Sequence, residues 1–189
     1  MRPQAAMILA LTAKLIAVPE LAWPRLVAAV DAEEPLPPPL GHACALAAIS
    51  VVATLFGSAL APGHTAASVV SHTLAATAGY VGASAAVVLG LPKALAHLPA
   101  VDAQSLARYG AASMLPLALS GVFNLVPMPG LSVLWTLGAA ALAARSAFLG
   151  ASQFLALEGN SRRNAAAMVV ILGSTPILLS LAFRIFIIP

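Results

Sequence analysis

The chain has 189 residues, of which 61% are hydrophobic and 8% charged, with a formal net charge of +3. Its mean hydropathy is +0.98, and soluble domains carry roughly 25% charged residues, so a water-solvated globule, which would be left with a largely greasy exterior, is excluded. The nine Lys and Arg residues stand singly apart from Arg162 and Arg163, so no basic stripe marks a nucleic-acid partner, and the lipid bilayer is the first partner expected.

Ala5 to Val18 is apolar but short, is interrupted by Thr12 and Lys14, and is closed by Pro19. Such a stretch is too short to span, and an interfacial amphipathic helix is expected there. Lys14, Trp23 and Arg25 are then expected at the level of the lipid headgroups. Lys14 also argues against a cleaved signal, because it breaks the apolar core and no small-x-small site follows. Asp31 to Pro39 is acidic and proline-rich, and the run Pro37 to Pro39 predicts an extended linker. Residues 1–39 thus precede a transmembrane domain at 40–189.

A helix needs about 20 apolar residues to cross a hydrocarbon core. Five stretches meet that need, at about 40–60, 66–91, 109–127, 131–157 and 165–188. The expected fold class is therefore all-α, a polytopic transmembrane bundle of five helices with an N-terminal interfacial helix. Ala61-Pro62-Gly63 and Pro127-Met128-Pro129-Gly130 predict tight turns. The connections Pro92–Arg108 and Glu158–Arg163 are polar and predict solvent-facing loops. Pro116 and Pro176 fall inside the third and fifth spans and predict kinks.

Positive charge in short loops sets orientation. Arg2, Lys14, Arg25, Lys93, Arg108, Arg162 and Arg163 all fall on one side of a five-helix arrangement, and the loops around Pro62 and Pro129 carry none. The N-terminus is expected in the cytoplasm and the C-terminus outside it.

Within the spans, Arg145, Asn124 and Arg184 form the candidate polar site. An ionised guanidinium inside a span marks a partner, a cavity or a pathway. For Arg145 two roles stay open: a structural bond, for example to Asn124 or to freed carbonyls, or an anion path. Asn124, ahead of Pro127 and Pro129, is expected to cap carbonyls. Arg162 and Arg163 are expected at lipid headgroups.

Small residues recur every fourth position in Ala75, Gly79 and Ala83, and in Ala139, Ala143, Ala147 and Ala151, a spacing that lets helices pack closely. His42, His64, His72 and His97 are dispersed, without Cys, Asp or Glu at ligand spacing, so neither a metal nor a cofactor is expected. A haem would have to use His42 and His72. Cys44 reads as a small core residue. No nucleophile elbow, P-loop, HExxH or carboxylate pair lies in a span, so the chain does not read as an enzyme.

The segment Pro19-Glu20-Leu21-Ala22-Trp23-Pro24-Arg25, the stretch from Leu117 through Asn124 and Pro127-Met128-Pro129-Gly130 to Leu131, and the polar loop Glu158 to Asn164 together resemble the bacterial branch of the Yip-domain (Ypt-interacting protein) family. The resemblance is one of pattern and covers nearly the whole chain. It implies five spans, a cytoplasmic N-terminus and an extracytoplasmic C-terminus. Eukaryotic members bind Rab-type GTPases, but their acidic, tyrosine-containing motif is absent here, and Arg145 stands where relatives tend to be aromatic and apolar. The function expected is therefore that of a non-enzymatic inner-membrane protein acting through protein or lipid contact, as a membrane organiser or an accessory subunit of a larger complex. The alternative is a small transporter or channel component with an anion path near Arg145.

Overall fold

The computed structural model describes the chain except Met1, Arg2, Pro35, His97, Pro99, Ala100, Pro127 and residues 187–189, and except the side chains of residues 3–9 and 129. Arg2, His97, Pro127 and the last residues of the fifth expected span therefore lie outside the described residues. Among the described residues every regular element is helical.

Two short helices come first, α1 (Pro3–Ala17) and α2 (Pro19–Asp31). They are separate because the residue before a proline is pushed out of helical geometry; Val18 has φ −141°. After α2 the chain turns through Glu33, at φ +51°. Pro38 has polyproline geometry (φ −56°, ψ 132°) and Pro39 opens α3 (Pro39–Leu60), a first-turn position where the missing N–H costs nothing. The proline run thus serves as half linker and half helix start.

Among the described residues four helices are long and apolar enough to cross a membrane. They are α3; the stretch 66–94, made of α4 (Ala66–Ala85), a π-helical turn (Ala86–Gly90) and α5 (Leu91–Ala94); α8 (Pro129–Gln153); and α9 (Gly159–Phe186). By length and composition these are the helices of a multi-pass membrane protein. α9 begins ahead of the boundary expected from sequence, so Arg162 and Arg163 stand in its first turns instead of in a loop.

The third expected span is built differently. It consists of α6 (Ala103–Ser113), α7 (Leu115–Leu119) and a 3-10 helix (Ser120–Leu125). It starts earlier than expected because Asp102 caps it, its Oδ1 accepting from the amides of Gln104 at 2.8 Å and Ser105 at 2.9 Å. It breaks at Met114, immediately before the turn that holds Pro116.

This broken segment is also the most enclosed. Tyr109, Met114, Leu115, Leu117 and Ala118 are buried, whereas α3 exposes Ile49, Val52 and Phe56, α4 Val70 and Leu74, α8 Leu134 and Leu137, and α9 Ile171 and Leu179. The long helices form a shell whose outer face suits hydrocarbon, and the broken one fills it. Close approach depends on small residues: a Cβ on Gly57 of α3 would lie 1.9 Å from the carbonyl oxygen of Asn124. The alanines at 139, 143, 147 and 151 are buried inside the chain. Ser180 of α9 donates to the carbonyl of Ala75 on α4 at 2.6 Å.

Candidate functional site

The polar residues gather at two levels. At the near end, where α1 and α2 lie, Glu20 forms an ion pair with Arg145. Glu20 and Trp23 are one turn apart on α2 and so share a face. Trp23 donates its indole N–H to the carbonyl of Ser146 at 3.0 Å, and this contact brings Glu20 alongside the neighbouring Arg145. The Arg145 side chain is 53% exposed. Arg145 and Asn124, which sequence reasoning offered as partners, are not brought together, because α2 supplies the acceptor instead. The Glu20 carboxyl is held below its usual range, chiefly by its own backbone amide, against the opposing effect of desolvation, with Arg145 adding to the lowering.

Trp23 corrects a second expectation. It does not sit at a headgroup surface but is fully buried, its ring 5.9 Å from that of Tyr109 and 5.8 Å from that of Phe154. Gly150 makes the room, since a Cβ there would fall 2.4 Å from the indole. Lys14 and Arg25 line one groove together with Glu34. Arg162 lies 3.6 Å over the ring of Phe148 and donates from Nε to the Phe148 carbonyl at 2.9 Å, while Arg163 is exposed.

At the far end, Asn124 does not cap carbonyls. Its amide donates to Thr54 Oγ1 at 2.8 Å and to Tyr80 Oη at 3.4 Å. Thr54 donates in turn to the carbonyl of Ser50 at 2.9 Å, and Ser50 to the carbonyl of Ala118 at 2.6 Å. This seam ties α3 and α4 to the broken segment at the level where 3-10 geometry begins.

Beyond the seam lies a cleft of about 300 Å³ lined by Ser58, His64, His72, Asn124, Ser132 and Arg184, with the Pro62 and Met128 turns at its rim. The Nε and Nη1 atoms of Arg184 are shut off from the surface and no acceptor among the described residues reaches them; the same holds for Nδ1 of His64. The rings of His64 and His72 stack with centroids 4.9 Å apart. His72 Nδ1 lies 2.9 Å from the carbonyl of Ser68, which can only accept, so that nitrogen carries a proton.

Sequence reasoning singled out Asn124 and Arg184 but left His64 and His72 as scattered residues. The hairpin at 61–65 folds one ring back over the other, and spacing alone does not reveal that. His42 stands at the opposite end, 3.4 Å from Thr12 Oγ1, so His42 and His72 do not share a site. Among the described residues no three His, Cys, Asp or Glu side chains cluster. Comparison of the chain with protein-family models, with curated proteins and with solved structures finds no match.

Proposed function

We propose that the chain is a non-enzymatic inner-membrane protein of the bacterial Yip-domain type, crossing five times with its N-terminus in the cytoplasm, and acting by contact with lipid or with other membrane subunits. The broken segment 103–125 makes the third crossing inside the shell of four. α1 and α2 lie in the cytoplasmic interface, where Lys14 and Arg25, joined by Arg162 and Arg163, face headgroups.

One observation carries the reading. Polar side chains inside the bundle fasten helix to helix: Ser50 to Ala118, Tyr109 to Ala147, Ser180 to Ala75 and Trp23 to Ser146, while the aliphatic side chains of the long helices face outward. Hydroxyls committed to backbone carbonyls are unsuited to acid, base or nucleophile work, and an aliphatic exterior suits packing. The far-end cleft favours a second reading in which the chain also holds a small ligand. Arg145 supports no anion path, since Glu20 already pairs with it on the outer surface.

Cysteine labelling tests the topology. In a Cys44→Ser background, Gly63→Cys should react only from the extracytoplasmic side and Asn160→Cys only from the cytoplasmic side. Labelling of both from one face, or a purified chain that stays monodisperse without detergent, overturns the reading. Purification in mild detergent should recover other membrane subunits or tightly held lipid; a bare, lipid-free monomer counts against the interaction role.

A further inference from the structure

We propose that the far-end cleft is a binding site for an oxyanion of the phosphate class, held by Arg184. The chain has six acidic residues, Glu20, Asp31, Glu33, Glu34, Asp102 and Glu158. Each belongs to the N-terminal helices and linker or to the connections at that same near end. The chain therefore has no aspartate or glutamate to offer Arg184. Closing off part of a cation without a counter-charge is costly, yet Nε and Nη1 of the half-buried Arg184 guanidinium are closed off with no acceptor among the described residues.

The walls complete the case. A guanidinium forks onto two oxygens of one anion, and a turn of the Arg184 side chain toward the cleft brings its closed-off Nε and Nη1 to such an anion. His64, with Nδ1 unpartnered among the described residues, stands in the same cleft, and Ser58 lines it. Arg184 and two imidazoles meet there with no carboxylate among the described lining residues, and this is the chemistry of an anion site. The cleft volume of about 300 Å³ is at the lower end of ligand pockets, roughly 300–1,000 Å³. It holds a phosphate group and leaves no space for acyl chains, which would lie outside along the shell.

The same phosphate chemistry comes from a lipid headgroup or from free phosphate. The inference rests on the membrane reading only for the lipid source. The full chain in detergent is titrated with inorganic phosphate against potassium chloride at matched ionic strength, following the thermal midpoint. In parallel, nanodiscs of phosphatidylcholine with and without phosphatidylglycerol are analysed for retained lipid by native mass spectrometry. Arg184→Gln removes an unpaired cation and is expected to fold; Arg184→Lys keeps the charge without the fork.

A ligand that binds the folded chain raises its midpoint. Phosphate is expected to do so in the native chain, with affinity falling about tenfold or more in Arg184→Gln, as for loss of a charge-assisted hydrogen bond, and Arg184→Lys in between. If phosphatidylglycerol alone is retained and Arg184→Gln releases it, the anion is a headgroup. Absence of any phosphate effect together with lipid retention indifferent to Arg184 overturns the proposal, as does an equal phosphate effect in Arg184→Gln. Solubility without detergent would sink the membrane reading, while the phosphate titration would still decide the site.

Discussion

Trp23 occupies the space that a side chain on Gly150 would need: a Cβ there would lie 2.4 Å from the indole. Gly150→Ala must therefore displace the ring and the helix that carries it. Overpacking of this kind costs about 1–3 kcal/mol. A denaturant titration of the detergent-solubilised protein should show that loss, along with a shift in tryptophan emission; an unchanged midpoint would mean that α2 docks elsewhere.

Glu20 and Arg145 tie α2 to the outer face of α8. The Glu20 carboxyl titrates below its ordinary value, so its contribution is present above the unfolded value and is lost as pH falls through the folded one. Arg145→Gln should raise the Glu20 titration only part of the way, because the backbone amide is the larger cause. Carboxyl-carbon NMR of a labelled sample reads this directly. A shift all the way to the ordinary value would assign the effect to Arg145 alone.

Asn124 bridges Thr54 and Tyr80. Hydrogen bonds between helices in membranes contribute about 0.6 kcal/mol on average and up to roughly 1.7, so Asn124→Ala should destabilise by about that range. Combined with Thr54→Val it should cost less than the sum of the two, because one bond is then counted once. Strict additivity would show that the amide and hydroxyl act independently.

Asp102 caps α6, and the Ser105 hydroxyl first, then the Ser105 amide, holds its carboxyl below the usual range. Its stabilisation is complete above the unfolded value and fades as pH falls through the depressed one. Asp102→Ala should cost about 1 kcal/mol at neutral pH. Asp102→Asn should keep most of the cap while removing that part of the acid sensitivity. Parallel pH–stability curves for the native chain and the Asn variant would rule the cap out as its source.

The helical class and the four long helices were legible because 20-residue apolar runs need no tertiary information. The third expected span was only half legible. Pro116 announced a break, but the 3-10 turn arises where Gly57 admits the Asn124 carbonyl, a contact between residues far apart in the chain. Arg145 misled for a related reason. Hydropathy placed it inside a span, and its partner Glu20 belonged to a segment expected only to lie in the interface. The far-end cleft left one trace in the sequence, the confinement of every acidic residue to the opposite end from Arg184; the stacking of His64 on His72 left none.

The broken segment shapes how this molecule can be made. Its apolar part, Leu115–Leu125, is too short to partition into hydrocarbon alone; Asn124 donates to Thr54 of α3 and Tyr80 of α4, and the Ala118 carbonyl accepts from Ser50 of α3. It is a guest whose place is prepared by its hosts, and on the proposed five-crossing reading its insertion waits until the first hairpin is already in the bilayer. Synthesis order supplies that timing, since both hosts leave the ribosome first, and a rearranged chain with this segment at the front would lose it.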